Sequence, residues 1–506
     1  MTSRSFYIKK NLIWQLLQSV IVMVFPLIMR TLLVYRIGDE LLGFNSLCIS
    51  VVSMLNVVNF GVDSVLIGRM YRPAAMRDTD EVCRQLKLCR TVYKIIGIAI
   101  LTAGVVITPF LGDFIKGDKP DVNIYFVFMI YLLSTVLSYW LFSYARVVFQ
   151  ATQQVYYLNQ ILIVGYLIQY GLQIVALFEG NYLVYVCFGP ISTIIYNIGS
   201  YRRLRKEYPQ YCCRGVTDQG EKRQLCRELV SCGIYRIRDM SRDSLDSMII
   251  SAILGLVLLS KYQNYTTVLL VPIMLKSVIS EAISPSLGNL NVTAGKEEQF
   301  HLLKVLWLLN IAVSGFFSIC YFQLIQNFIY LWVGPSRVLP LSVPIMLSIY
   351  LFVLGICDFF KMVRKANQLW EKGKAVGGIE IVANLVLNIV LVKWLGMFGI
   401  VLATVITIVF INLPYESWLI FKDYYGKNAI RFFWLLMKVL VWVIITNGIV
   451  WVIIDRISCF GFWMLVLQGG ITVIVAGILF ILIFRKDNEW RILYRKVVKE
   501  KGEKES

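Results

Sequence analysis

Long apolar runs separated by short polar segments follow one another along the whole chain. A helix that crosses a bilayer needs about 20 predominantly apolar residues. Most of these runs reach that length, and their apolar positions are continuous rather than alternating, which favours helices over a membrane β-barrel. The pattern predicts fourteen spanning helices, at 11–36, 41–66, 91–112, 124–146, 155–178, 181–200, 228–257, 258–285, 303–325, 341–361, 376–394, 397–420, 432–454 and 461–484.

The composition supports the same fold class. The chain has 506 residues, of which 58% are hydrophobic and 16% are charged, and its mean hydropathy is +0.69. Soluble domains are about 45–50% apolar and 25% charged. The first apolar run, 12–35, is too long for a signal-peptide core and lacks a small-residue cleavage site, so we interpret it as a retained span. The sequence predicts an all-α polytopic membrane protein.

The distribution of charge predicts the topology. The formal net charge is +19, which could suggest a nucleic-acid partner. Most of the Lys and Arg residues, however, fall in the even-numbered loops and the two termini. By the positive-inside rule, these segments and both termini are cytoplasmic. The excess charge is therefore mainly a topology signal, and nucleic acid is excluded as a partner. The basic run 202–206 is expected to contact anionic lipid headgroups.

An internal repeat divides the chain. Leu41-Leu42 recurs as Leu258-Leu259, Gly117 as Gly334 and Gly180 as Gly396, all at an offset of roughly 216 residues. An even number of spans separates the copies, which predicts two parallel six-helix bundles, with helices 13 and 14 as additions. The predicted domains are 1–207 (N-terminal bundle), 208–227 (cytoplasmic linker), 228–424 (C-terminal bundle), and 425–506 (helices 13 and 14 with a basic cytoplasmic tail).

A dense cluster of charge lies in predicted helix 7. Its members are Arg236, Arg238, Asp239, Arg242, Asp243 and Asp246. The apolar stretch behind it, 248–259, is too short to span a bilayer alone, so part of the charged half must enter the membrane. Charges that face lipid at mid-bilayer are costly. Two interpretations remain open: the cluster lines a hydrated cavity, or it forms a charge ladder at the cytoplasmic interface.

Two further cations lie inside predicted spans. Arg30 follows Pro26 in helix 1, and Lys276 follows Pro272 in helix 8. Proline can free backbone groups where a cavity replaces lipid. We expect both cations either to face that cavity or to reach the interface. Asp358 and Glu380 are expected to be helix caps or solvated interfacial groups.

The sequence offers little for catalysis. No catalytic residue or metal site is predicted, and no phosphate-binding loop of the G-x-x-x-x-G-K-[ST] type occurs. The 11 cysteines lack a paired C-x-x-C pattern, and His301 is the sole histidine. Reduced, inert thiols are therefore the default expectation. The outside loops are too short to fold as a catalytic domain. The chain is expected not to be an enzyme and to need no cofactor, although proton or sodium coupling stays open.

The sequence resembles the Wzx-type polysaccharide flippases of the multidrug/oligosaccharidyl-lipid/polysaccharide exporter superfamily, in the form found in Gram-positive bacteria. The residues that carry the likeness in the first half are Phe25-Pro26, Arg30-Thr31, Gly38, Leu41-Leu42-Gly43-Phe44-Asn45-Ser46-Leu47, Met54-Leu55-Asn56, Phe60-Gly61-Val62 and Met70-Tyr71-Arg72-Pro73. Those in the second half are Asp246, Ile249-Ile250-Ser251, Gly255, Tyr262, Asn264-Tyr265 and Gly288-Asn289-Leu290.

The resemblance implies two bundles in a V that open alternately to each side of the bacterial cytoplasmic membrane. The implied cargo is an undecaprenyl-pyrophosphate-linked oligosaccharide, moved to the outer leaflet for surface or capsular polysaccharide export. A polymerase and glycosyltransferases of the same pathway are implied partners, besides membrane lipids. Arg30 falls on a family-typical arginine.

For headgroup contact, the predicted residues are Arg30, Arg236, Arg238, Arg242 and Lys276. For ion coupling or for pairing with the arginines, they are Asp239, Asp243 and Asp246. The rival functions are a cation-coupled multidrug exporter or a lipid II flippase of the same superfamily. A rival of a different class is a membrane polysaccharide polymerase or ligase.

Overall fold

The computed structural model is almost entirely helical, which confirms the predicted fold class. It describes residues 2–56, 62–117, 119–216, 218–293, 295–367, 369, 374–455 and 461–493, and no strand occurs within these ranges. The chain divides into two compact units, Met1–Ser260 and Lys261–Ser506. The four domain bounds drawn from the sequence stay predictions.

Unit 1 consists of helices joined by short turns. Its helices are α1 (Thr2–Arg36), α2 (Asp39–Leu55), α3 (Val62–Met76), α4 (Thr79–Ile107), α5 (Ile124–Trp140), α6 (Tyr144–Ala151), α7 (Val155–Phe178), α8 (Tyr182–Cys187), α9 (Ile191–Glu207) and α10 (Gln219–Ile249). A 3-10 turn (Thr108–Phe114) extends α4, and a π-helical turn (Ile250–Leu254) extends α10. Helix α11 (Leu256–Thr293) begins in unit 1 and continues into unit 2.

Unit 2 contains longer helices. They are α12 (Gly295–Val333), α13 (Ser342–Ala366), α14 (Lys374–Thr407), α15 (Leu413–Ser417), α16 (Ile430–Asp455) and α17 (Phe462–Phe484). Two π-helical segments, Ile408–Asn412 and Trp418–Tyr424, flank α15. A buried aromatic cluster packs α12, α13 and α16 together, with the Trp307 indole 4.8 Å from the Phe359 ring and 5.9 Å from the Phe432 ring.

In the part of the chain that the structure describes, the helices support most of the predicted spans, but not 41–66, 228–257 and 258–285. Among the described residues, nine helices are long and apolar enough to cross a membrane, or ten if the bent pair α5 and α6 is one span. The longest candidate, Val376–Tyr424, has 49 residues, about twice the length that a bilayer requires. It is broken at Gly396, where the backbone is not helical, so it holds predicted spans 11 and 12. Each of the fourteen predicted spans overlaps a helix.

Backbone geometry repeats at the offset found in the sequence. Gly38 has φ 97° and Gly255 has φ 98°, while Gly117 has φ 94° and Gly334 has φ 92°. These values lie in the region that glycine adopts without steric penalty. In each pair, two turns far apart in the chain therefore use the same unusual conformation.

Candidate functional site

Arg30 lies nearly two turns before the end of α1, and its partners are Asp39 on α2 and Ser260 on α11. Its Nη2 donates to the carbonyl oxygen of Ser260, at 2.8 Å. The Ser260 hydroxyl, which is fully buried, donates to Oδ1 of Asp39, at 3.2 Å. Asp39 stands in the first turn of α2, where the helix dipole favours a carboxylate, and its charge acts on Arg30. A cation, a carboxylate and a backbone carbonyl therefore meet at this point of unit 1.

Next to these hydrogen bonds, the backbones of α2 and of the start of α11 approach each other very closely. A Cβ added to Gly43 would lie 2.7 Å from the carbonyl carbon of Leu256 and closer still to its oxygen. Only glycine lets α2 and the start of α11 pack at this distance. We call Arg30, Asp39, Gly43, Leu256 and Ser260 the α2–α11 junction. The repeat offset relates the residues of its two contacts. Asp39 occupies the position equivalent to Leu256, and Gly43 occupies the position equivalent to Ser260.

A second set of hydrogen bonds involves Ser251, which precedes the α11 residues of the junction in the chain. The Ser251 hydroxyl donates to the carbonyl of Phe114, at 2.6 Å, and the backbone N–H of Lys116 donates to the carbonyl of Ser251, at 3.2 Å. These bonds tie the π-helical turn after α10 to the segment after α4. The predicted topology places this segment, like the α1–α2 and α10–α11 turns, on the outside.

Lys276 occupies a buried position on α11 in unit 2. Its side chain is 6% exposed. The ammonium donates to the carbonyl of Gly355 on α13, and it lies 3.6 Å from Oδ2 of Asp358. A side chain at Gly355 would collide with Ser314 and with this ammonium. Asp358 is 32% exposed, as expected of a solvated group, but its carboxylate also pairs with Lys276.

The charged cluster of α10 is described only in part. Helix α10 runs unbroken through it. Asp246 is 5% exposed and lies among the buried residues Ser244 and Ser247. The side chains of the other five members lie outside the described residues: Arg236, Arg238, Asp239, Arg242 and Asp243. The roles assigned to all six stay predictions.

Sequence reasoning missed a buried polar seam in unit 2. Glu380, Asn384 and Asn388 are spaced four apart on α14, so they share one face. Glu380 is 1% exposed and accepts a hydrogen bond from Asn412, at 2.8 Å. The Asn384 amide donates to Thr404, at 3.0 Å. The expectation that Glu380 is a cap or a solvated group is therefore wrong. Its spacing from the two asparagines was the signal that could have revealed the seam.

Sequence reasoning also missed the role of Arg146, a cation at the bend of one predicted span. Helices α5 and α6 meet at 54°, which frees carbonyl groups that a continuous helix would use. The Arg146 guanidinium lies 3.4 Å from the Ser138 carbonyl and 3.3 Å from the Ser143 carbonyl. Asn197 on α9 also donates to the Ser138 carbonyl, at 3.3 Å. Side chains thus satisfy the broken backbone, as membrane interiors require.

Among the described residues, no group of three or more His, Cys, Asp and Glu side chains could hold a metal ion. No family model matches the sequence, and no curated protein matches it. Solved structures do match. "Lipid II flippase MurJ, inward closed conformation" has a TM-score of 0.65 at 14% identity, covering 93% of this chain and 99% of that one.

Two MATE transporters are also similar. An inward-facing multidrug resistance MATE family transporter of the MOP superfamily has a TM-score of 0.60 at 13% identity, covering 84% of this chain and 97% of that one. The Vibrio cholerae MATE transporter VcmN, in the bent form, has a TM-score of 0.53 at 14% identity, covering 87% of this chain and 99% of that one. The multi-pass chain therefore has the fold that the MurJ flippase shares with MATE transporters of the MOP superfamily.

Proposed function

We propose that this protein is a flippase that moves undecaprenyl-pyrophosphate-linked oligosaccharides from the cytoplasmic to the outer leaflet of a bacterial plasma membrane. The observation that carries the proposal is Arg30, a permanent cation in a membrane-spanning helix. A charge at this depth is expensive, and such residues typically mark substrate or ion paths.

The hydrogen bonds of Arg30 are of a kind that it could exchange for bonds to a pyrophosphate. One of its bonds goes to a neutral backbone carbonyl, that of Ser260. A pyrophosphate offers several charged oxygens, and guanidinium–phosphate bonds are about twice as strong as bonds between neutral groups. The buried pair of Arg364 and Glu416 contrasts with this arrangement, since its side chains are both 4% exposed and in direct contact at 2.5 Å. We assign that pair a structural role.

Lys276 is the second proposed contact of the headgroup. Its ammonium is shared between the Gly355 carbonyl and Asp358. The Asp358 side chain is 32% exposed, so water can solvate it when the lysine turns to a phosphate. Arg236, Arg238 and Arg242 stay proposed contacts, and Asp239, Asp243 and Asp246 stay proposed sites of proton or sodium coupling.

Alternating access gives the α2–α11 junction a proposed role. With both termini in the cytoplasm, the turns at Gly38 and Gly255 face outward. The junction then closes the outer end of the path, and it must separate to release the glycan outside. Its hydrogen bonds, through Arg30, Asp39 and Ser260, are modest and can be exchanged for water.

The test is translocation of a fluorescent undecaprenyl-pyrophosphate oligosaccharide in vesicles that contain the purified protein. Arg30→Ala should lower the rate at least about tenfold, as expected for loss of a charged hydrogen bond of roughly 1.5–3 kcal/mol. The matched control is Arg36→Ala on the same helix, where the guanidinium lies over the Phe178 ring, at 4.8 Å. It should leave the rate within twofold.

The same vesicles separate the rival functions. Transport of lipid II in preference to the oligosaccharide would identify a lipid II flippase. Transport of cationic drugs without either lipid would identify a multidrug exporter. Lengthening of the glycan would identify a polymerase or ligase. Unaltered oligosaccharide transport in the Arg30→Ala variant would refute the assigned role of Arg30.

A further inference from the structure

The segment between α9 and α10, residues 208–218, is docked onto the first turns of α4 through residues 210–215. The Lys87 ammonium donates to the Gly215 carbonyl, at 2.8 Å, and Arg214 pairs with Asp80, at 2.8 Å. Tyr211 is buried, and its carbonyl accepts a bond from Arg205, at 3.3 Å. The segment thus has a fixed place although residues 211–216 form neither helix nor strand.

This docking brings two thiols together. Sγ of Cys83, on α4, lies 3.8 Å from Sγ of Cys212, and the backbone N–H of Cys212 donates to Sγ of Cys83, at 3.2 Å. The two residues are 129 positions apart in the chain. The first turns of α4 also carry Asp80, Arg84 and Lys87, so this end of the helix is polar and lies on the predicted cytoplasmic side.

We propose that Cys83 and Cys212 form a peroxide-sensitive thiol pair that closes to a disulfide and fastens the 208–218 segment to α4. The sulfur atoms must approach from 3.8 Å to about 2.05 Å. The irregular backbone around Cys212 can supply this movement, whereas Cys83 is held in its helix. Neither the fold nor the proposed transport function requires this site.

The chemistry balances with hydrogen peroxide as the oxidant. Cys212 is half-buried and Cys83 is buried, so peroxide meets Cys212 first. The Cys212 thiolate attacks one peroxide oxygen, which gives a sulfenic acid and releases hydroxide. Burial raises the pKa of the Cys83 thiol, and the hydrogen bond from the Cys212 N–H offsets part of this effect. The Cys83 thiolate then attacks the sulfenic sulfur. The S–S bond forms and the oxygen leaves as hydroxide. Two thiols and one peroxide become one disulfide and two waters.

Other cysteines near this site provide matched controls. Cys213 follows Cys212 directly and is half-buried, while Cys226 is exposed on α10. If exposure or closeness in sequence decided the reaction, these two would react in place of Cys212. If the geometry of the docked segment decides it, they would not.

The experiment treats membranes that contain the full chain with hydrogen peroxide. Free thiols are then blocked, disulfides are reduced, and the released thiols are labelled with a maleimide polymer that shifts the band on a gel. Two labels are expected in the native protein, in Cys213→Ser and in Cys226→Ser. None is expected in Cys212→Ser or Cys83→Ser. Peptide mass spectrometry should show a Cys83–Cys212 cross-link, and hydrogen exchange at 208–218 should slow at least tenfold after oxidation.

Absence of labels in the native protein would overturn the proposal. So would labels that persist in Cys212→Ser or disappear in Cys213→Ser. If Cys83→Ser fails to accumulate in membranes, the half-buried Cys212→Ser variant decides the question alone. Transport plays no part in any of these readouts, so the outcome does not depend on the proposed function.

Discussion

The α2–α11 junction makes a strong prediction about Gly43. A methyl group at this position would stand 2.7 Å from the carbonyl carbon of Leu256. Non-bonded carbon atoms prefer about 3.5–4.0 Å. The atom that the methyl group meets belongs to the backbone, so no side chain can rotate away. Gly43→Ala must therefore push α2 and the start of α11 apart by about 1 Å.

That displacement is enough to break the neighbouring hydrogen bond. The Ser260 hydroxyl lies 3.2 Å from Asp39, near the long end of the hydrogen-bond range, and a further ångström ends the interaction. Overpacking of this kind costs about 1–3 kcal/mol. If the closed junction is one of two states, its population relative to the open state falls about 5- to 150-fold.

The assay is cross-linking between cysteines placed at the junction. In an Asp39→Cys/Ser260→Cys variant, an oxidant should join the two residues readily, and mass spectrometry of the joined peptides measures the yield. Adding Gly43→Ala should lower the initial rate of cross-linking at least fivefold. The control is Gly68→Ala on α3, where an added Cβ meets nothing within 4 Å. Cross-linking that proceeds at the parent rate in the Gly43→Ala background would refute the argument.

Three further predictions concern buried charges. Lys276→Met should slow transport about tenfold while membrane insertion is kept, since one charged hydrogen bond is worth roughly 1.5–3 kcal/mol. Glu416→Gln should lower the melting temperature in detergent, because breaking a buried ion pair costs about 3–5 kcal/mol. Burial opposes ionisation of Glu489, but hydrogen bonds from Arg431 and its own backbone hold its pKa below the usual value. Residues 485–493 should therefore exchange hydrogen slowly down to about pH 4.3 and lose this protection as the pH falls further.

Each of these predictions has a control on an exposed group or in a neutral variant. Lys361→Met removes the other cation near Asp358, at 3.9 Å, and should leave transport unchanged. Glu207→Gln breaks a surface pair with Arg203 and should shift the melting temperature little, because such pairs contribute about 0–1 kcal/mol. Glu489→Gln should abolish the dependence of the protection factor, which is corrected for the intrinsic effect of pH on exchange, on pH. A protection factor that remains pH-dependent in that variant would assign the titration to another group.

The fold could be predicted because the bilayer imposes a strong pattern. Every spanning segment must be apolar and must satisfy its own backbone, so the runs of the sequence mark the helices directly. The ends are less predictable: α4 begins at Thr79, although its predicted span starts at residue 91. Its first turns lie beyond the apolar pattern and are fixed by tertiary contacts such as the Arg84–Glu221 pair, at 2.9 Å.

Of the candidate site, only the charged residues could be predicted from the sequence. A cation in an apolar run is visible in the sequence, as at Arg30 and Lys276, because it departs from the pattern. Its partner is not visible when that partner is a backbone carbonyl, as at Ser260 and Gly355, since every residue has one. The thiol pair was likewise hidden, because no spacing rule relates Cys83 to a cysteine in a distant segment.

The repeat offset found in the sequence relates the two contacts of the junction, one a close backbone approach and the other a polar bond. Asp39 and Gly43 on α2 correspond to Leu256 and Ser260 at the start of α11. Asp39 meets Ser260, the counterpart of Gly43, and Gly43 meets Leu256, the counterpart of Asp39. One contact is a glycine against a backbone, and the other is a carboxylate with a hydroxyl. Arg30 joins only the polar contact, so the two copies are no longer equivalent, and a substitution at Gly43 should disturb the charge around Arg30 without touching it.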